Sequence, residues 1–277
     1  MQALSFSTGW EPPRGTLGEL TKDASQRAEL VEGDLANLRA RAADQRPAVP
    51  FASRLQGSTI GVIAEVKRAS PSKGILAHGL DAAERAVLYA TGGASAISVL
   101  TEPSRFGGSL TDLNAVAASV TLPVIRKDFL VAPVQLWEAR ANGASVVLLI
   151  ARALSPDLLR QLVDAAEEIG LETLVEVRDE QELERAITLK ARVIGVNNRN
   201  LETLVIDPST APRLIARIPA AIVAVAESGM QCVEDVAPAA DAGADAILVG
   251  SALSSAGDPV EAVRRLAIIP RRQRVVA

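Results

Sequence analysis

Gly93-Ala94-Ser95-Ala96-Ile97, Gly143-Ala144-Ser145-Val146-Val147 and Gly243-Ala244-Asp245-Ala246-Ile247 repeat one pattern, offset by 50 and then by 100 residues. In each, the glycine is placed to end a helix in a left-handed conformation, and the small and β-branched residues after it open a buried strand. The offsets correspond to two and four units of about 25 residues, a normal length for one strand–helix unit. Working outward, short apolar runs fall at 60–66, 96–100, 123–125, 146–151, 173–177, 193–196, 222–226 and 246–249. Segments with helical periodicity, such as 158–169 and 180–189, lie between them. Strands that alternate with helices pair in parallel, because each crossover returns the chain to the same edge.

Eight such units fit either a doubly wound open sheet or a closed barrel. A nucleotide-binding open sheet carries G-x-G-x-x-G after its first strand. Here the first run leads into Lys67-Arg68-Ala69-Ser70-Pro71-Ser72-Lys73-Gly74, which lacks that spacing, and no G-x-x-x-x-G-K-[ST] occurs. The expected fold is therefore α/β, a (β/α)8 TIM barrel over 58–277 with an N-terminal helical extension over 1–57. Within the extension, Leu20, Ala24, Ala28, Leu30, Val31, Leu35 and Leu38 predict one amphipathic helix across 19–41, packed on the barrel. Pro270-Arg271-Arg272-Gln273-Arg274 reads as a frayed, solvated end.

Composition removes several classes of function. The 277 residues are 48% hydrophobic and carry 29 Lys plus Arg against 33 Asp plus Glu, for a net charge of −4. A nucleic-acid binder would show a basic excess. The single cysteine, Cys232, has no disulfide partner, and the single histidine, His78, cannot build a His/Cys metal cluster or supply more than one catalytic site. His78 reads as a loop residue and Cys232 as an inert residue at the start of the seventh helix. No stretch has secretory or membrane-spanning length. The expectation is a cytoplasmic monomer that needs neither metal nor cofactor and engages neither membrane nor nucleic acid.

Polar residues recur where the strands end. On a strand, residues i and i+2 share a face, and barrel chemistry sits at the C-terminal mouth. Ile63, Glu65 and Lys67 share a face, as do Ile125, Lys127 and Phe129, then Leu174 and Glu176, then Asn197 and Arg199, and Glu227 closes the seventh run. Burying unpaired charges costs several kcal/mol each, so this recurrence points to a site. A second constellation suits an anion: Ser228-Gly229 after the seventh run and Gly250-Ser251 after the eighth, with Ser70 on the adjoining first strand. Glycine lets backbone N–H groups approach oxygen and serine adds a donor, which indicates a phosphorylated small-molecule substrate.

These residues closely resemble the indole-3-glycerol phosphate synthase family. The resemblance runs through Ile63-Ala64-Glu65-Val66-Lys67-Arg68-Ala69-Ser70-Pro71-Ser72-Lys73-Gly74, Ser98-Val99-Leu100-Thr101-Glu102-Pro103, Arg126-Lys127-Asp128-Phe129, Gly195-Val196-Asn197-Asn198-Arg199-Asn200-Leu201, Ala226-Glu227-Ser228-Gly229 and 243–250. It implies closure of the indole ring of 1-(2-carboxyphenylamino)-1-deoxyribulose 5-phosphate with loss of CO2 and water. It further implies Lys127 as general acid, Lys67 as partner of the substrate carboxylate and Glu176 as general base. Glu65 and Glu227 orient the lysines, Asn197 holds substrate hydroxyls and Arg199 lies near the anthranilate carboxylate. Ser70, Ser228, Gly229, Gly250 and Ser251 form the phosphate cradle, and Phe129, Leu149 and Leu248 wall the aromatic ring. Such an acid is expected to be hemmed in by other cations, with its pKa lowered toward neutrality. The rivals are another phosphate-binding barrel, such as a phosphoribosyl isomerase, and a non-catalytic metabolite-binding barrel.

Overall fold

The computed structural model describes residues 10–70, 74–75 and 79–274, the side chains of Ser70 and Ile75 excepted. The reading of His78 lies outside the described residues. Eight parallel strands form the closed barrel: β1 (Gly61–Val66), β2 (Ala96–Leu100), β3 (Val124–Lys127), β4 (Val146–Ile150), β5 (Glu172–Val177), β6 (Val193–Asn197), β7 (Val223–Glu227) and β8 (Ala246–Val249). Each pairs with its neighbours in chain order, and β1 pairs with β8 to close the ring. The repeat that opened the sequence reading is visible in the backbone. Gly93, Gly143 and Gly243 have φ of +98°, +85° and +88°, directly after helices ending at Thr91, Ala141 and Asp241 and before strands opening at Ala96, Val146 and Ala246. A side chain is strained at such φ values, so glycine recurs there for a steric reason.

The extension departs from the single helix predicted over 19–41. It forms α1 (Gly15–Glu32) and α2 (Leu35–Ala43), divided at Gly33-Asp34, where a poor helix former precedes a residue that favours a helix start. Leu30 stands off the face of α1 that carries Leu17, Leu20, Ala24 and Ala28 and is 84% exposed. Leu17, Leu20 and Ala24 of α1 join the barrel's core, while Ala28, Leu38 and Ala42 form a smaller cluster with Val134 and Ala141 of the third barrel helix.

The basic tail is docked where fraying was expected. Ile60 N donates to Ile269 O at 2.8 Å and Arg271 N to Ser58 O at 3.1 Å. Asp245, buried at the start of β8, draws the tail in: Arg271 Nη1 lies 2.7 Å from its Oδ1 and Arg274 Nη2 2.9 Å from its Oδ2. A buried carboxylate needs such partners, and charge composition alone did not reveal that Asp245 is buried. No helix among the described residues is long and apolar enough to cross a membrane.

Candidate active site

At the C-terminal ends of the strands lies a cavity of about 1210 Å³, including its open mouth. Glu65 and Lys67 reach it from β1, Lys127 and Phe129 from β3, Glu176 from β5, Asn197 and Arg199 from β6, Ser228 and Gly229 from β7, and Leu248, Gly250 and Ser251 from β8. Glu227 stands behind them, bonded to Lys127. Leu149 is not brought here. It pairs with Val175 while Ile150 pairs with Glu176, so the alternation of the strand sends Leu149 into the layer outside the barrel and Leu148 and Ile150 to the cavity. The expected ring wall was thus one residue out of step. The side chain of Ser70 lies outside the described atoms.

Several lining residues escaped the sequence reading. Leu100 and Phe106 come from β2 and the short helix after it, and the Phe106 ring stands 6.2 Å from that of Phe129. Thr16 and Leu20 come from α1, so the extension covers part of the mouth. The strand-face alternation that placed Glu176 could have located Leu148 and Ile150. Nothing in residues 1–57 signalled Thr16.

The charges are interleaved. Lys127 Nζ crosses the barrel from β3 to lie 2.7 Å from Glu227 Oε2 on β7 and 3.7 Å from Glu176 Oε2 on β5. Lys67 Nζ lies 2.9 Å from Glu65 Oε1 on its own strand. Asn197 donates from Nδ2 to Glu176 Oε1 at 3.0 Å and accepts from the Arg199 N–H at 2.9 Å, so it fixes the carboxylate's orientation. Two glycines make room for this arrangement. A Cβ on Gly195 would stand 2.1 Å from Glu227 Oε1, and one on Gly250 would stand 2.3 Å from Glu65 Oε1. Glycine therefore interrupts β6 because a carboxylate from the neighbouring strand occupies the space a side chain would take.

The electrostatics reverse the expected sign at Lys127. Burial disfavours its charge, but Glu227, Glu176 and Glu65 outweigh burial and hold its pKa above the ordinary lysine value. The neighbours that matter are carboxylates, not cations, so Lys127 is held firmly protonated. Burial raises Glu227, which the Lys127 ammonium only partly opposes while Glu176 adds repulsion; it sits at about 7. For Glu65 burial acts upward, yet Lys67 and Lys127 together bring it below the usual carboxylate range.

Beneath the lysine lies a second buried cluster. The fully buried side chain of Asp128 accepts from Arg27 Nη1 and Nη2 (2.9 and 2.8 Å), Thr101 Oγ1 (2.7 Å), Arg126 Nη2 (3.3 Å) and its own neighbour's amide, Phe129 N (2.8 Å). Burial opposes its charge, but these donors bring its pKa down to about 2. Just after β7, Ser228 holds φ at +66°, left-handed for a residue with a Cβ, and its carbonyl accepts from Asn198 Nδ2 at 3.0 Å. Strain of this kind concentrates where a turn must present its groups in one direction.

A smaller hollow beside the mouth shares Glu176 and Arg199 with it and is lined further by Arg152, Arg178, Asp179 and Glu182. Glu182 sits in the first turn of the helix Glu180–Thr188, accepts from Arg178 N at 2.7 Å, and donates its amide to Asp179 Oδ1 at 2.8 Å. Burial, reinforced by Asp179, raises its pKa to about 7. A carboxyl raised on folding stabilises fully below the unfolded value, 4.5, and that contribution is lost as pH rises through the folded one. Glu182→Gln keeps an acceptor for Arg178 N and removes the titration. Its stability relative to the native chain should rise by up to about 3 kcal/mol between pH 4.5 and pH 8. Urea unfolding at both pH values measures this; a difference independent of pH would refute it.

The family model described as indole-3-glycerol phosphate synthase matches residues 19–266. A Streptomyces coelicolor protein named indole-3-glycerol phosphate synthase 1 is 53% identical over 244 residues, covering 87% of this chain and 91% of the relative. A Rhodococcus jostii protein named indole-3-glycerol phosphate synthase is 52% identical over 233 residues, covering 84% of this chain and 87% of the relative. Among solved structures, a thiamine phosphate pyrophosphorylase from Pyrococcus furiosus superposes with TM-score 0.56 over 76% of this chain and 95% of its own, at 17% identity. An N-acetylmannosamine-6-phosphate 2-epimerase from Clostridium perfringens gives 0.57 at 18% identity, over 76% and 93%. At that identity the two structures report on the barrel alone.

Proposed function

The chain belongs to the indole-3-glycerol phosphate synthase family, and from that membership we propose how its residues divide the work of the family's reaction. It is a decarboxylating lyase of tryptophan biosynthesis, converting 1-(2-carboxyphenylamino)-1-deoxyribulose 5-phosphate to indole-3-glycerol phosphate, CO2 and water. The carboxylate-bearing ring carbon attacks the ribulose carbonyl, and Lys127 gives the developing alkoxide its proton. CO2 then leaves, and the electrons of the broken bond restore the aromatic ring. Lys67, paired with the substrate carboxylate before that loss, protonates the resulting hydroxyl so that it departs as water. Glu176 takes the proton from the adjacent methylene, which forms the double bond of the indole.

Two protons are given and one is taken. The net uptake of one proton per turnover matches the conversion of a carboxylate into neutral CO2. The observation that carries this reading is Lys127 Nζ placed between Glu227 Oε2 at 2.7 Å and Glu176 Oε2 at 3.7 Å. The first contact supports an acid kept charged until an alkoxide, more basic than itself, appears. The second lets the Glu176 charge help hold the ammonium protonated.

Asn197 and Arg199 hold the substrate hydroxyls and the anthranilate end, Phe129 and Leu248 flank the ring, and Ser70, Ser228, Gly229, Gly250 and Ser251 take the phosphate. Cytoplasmic location and a monomeric state belong to the same proposal; the free thiol of Cys232 suits a reducing compartment. Incubation of the purified chain with the carboxyphenylamino substrate should produce indole fluorescence. Isomerase turnover without fluorescence would favour the rival barrel, and binding without turnover the non-catalytic one.

A further inference from the structure

α1 does more than cover the mouth. Two turns beyond Leu20, Arg27 reaches down with both terminal nitrogens to the two oxygens of Asp128, at 2.9 and 2.8 Å. Asp128 has no exposed side-chain surface and stands between Lys127, the ammonium at the centre of the site, and Phe129, whose ring lines the cavity. One of its oxygens also accepts the Phe129 amide, so the carboxylate shapes the turn that carries both groups. The barrel supplies its own cation here: Arg126, buried on β3, lies 3.3 Å from Asp128 Oδ2 and 2.7 Å from Glu138 Oε2. Arg126 satisfies charge but makes one long contact to Asp128. The two-pronged contact, which fixes the carboxylate's plane as well as its place, comes from the extension.

We propose that Arg27 is a positioning residue for the reaction, acting through Asp128 to set Lys127 against the substrate carbonyl. The inference rests on Lys127 being the proton donor. The clasp grips the strand end through the buried carboxylate of Asp128, whereas Glu227 and Glu176 hold the far end of the lysine side chain at its ammonium. When substrate displaces those ion pairs, the clasp is what still fixes the start of the lysine side chain. Proton transfer is sensitive to misplacement on the order of 1 Å, and the step affected belongs to the transition state rather than to binding.

The test is steady-state kinetics of Arg27→Met and Arg27→Lys with the full chain, at a temperature well below the measured unfolding midpoint of each. Arg27→Met should lose about tenfold to a hundredfold in kcat, with KM within about threefold of the native value, the signature of a transition-state interaction. Arg27→Lys retains the charge but replaces a fork with a single point donor, and its kcat should fall between the two. A lowered midpoint with native kcat in either variant would overturn the inference and leave Arg27 a structural tie. A rise in KM alone would overturn it as well. If Arg27→Met does not fold, Arg27→Lys decides by the same criterion. Failure of the native chain to produce indole would instead remove the parent reading, so the two failures are distinguishable.

Discussion

Lys127→Met is expected to lower kcat by about 10²- to 10⁴-fold, the range that a positioned general acid contributes, while the affinity for substrate changes by less than about tenfold. Methionine fills nearly the same volume and can lie in the same rotamer, so the barrel should fold. What disappears is the cation that lies 2.7 Å from Glu227 and 3.7 Å from Glu176. Glu227 is already raised to about 7 by burial, with Lys127 the principal opposing influence. Without Lys127 its pKa rises further, and Glu227 takes up a proton at neutral pH. The variant therefore carries one fewer ammonium and one more protonated carboxyl, and Glu227, which does not line the cavity, does not replace the lost donor. Because proton donation accompanies the first carbon–carbon bond, CO2 release and indole formation should fall by the same factor. Measuring both products from one reaction checks this. Turnover at the native rate would remove Lys127 from the mechanism.

The barrel was legible in the sequence because its determinants are local and repeated. Helix-ending glycines at 93, 143 and 243 and the buried runs that follow them recur at multiples of one interval, and closure into a ring is one of few ways to bury parallel strands on both faces. The charged mouth was legible for a related reason: alternation along a strand assigns Glu65, Lys127, Glu176 and Asn197 to one side without knowledge of their partners. Where a residue was assigned without counting that alternation, as with Leu149, the assignment missed by one position. The identity of neighbours was not legible. Lys127 reads as one of several cations along the chain, yet the charged side chains that set its pKa come from β1, β5 and β7 and are carboxylates. The sign of its shift follows from that three-dimensional selection. The docking of Arg271 and Arg274 on Asp245 and of Arg27 on Asp128 was hidden for the same reason, since each pair depends on a burial that only the closed fold creates.

Glu176→Gln should separate the two halves of the reaction. Glutamine preserves the shape of the side chain, and its carbonyl oxygen can still accept from Asn197 Nδ2, which lies 3.0 Å from the carboxylate in the native site. Its amide nitrogen would then face Lys127, where the native carboxylate is 3.7 Å from the ammonium. The variant loses a base and sets an amide N–H against the ammonium, a weakly repulsive approach, while the Lys127–Glu227 pair at 2.7 Å stays intact. Ring closure and decarboxylation call on Lys127 and on the substrate's own carboxylate, so they should continue at a rate within about tenfold of the native one, since the base makes no proton transfer in those steps. Removal of the methylene proton calls on Glu176 and should slow by about 10²- to 10⁴-fold. Mixing enzyme in excess with substrate should accordingly release CO2 in a fast phase, with indole fluorescence following far behind and a decarboxylated, still hydroxylated species accumulating between them. In Lys127→Met no such lag is expected, because its block precedes both products. Simultaneous slowing of CO2 release and fluorescence in Glu176→Gln would place the base in the first half of the reaction and require that Glu176 act on the ring-closing step instead.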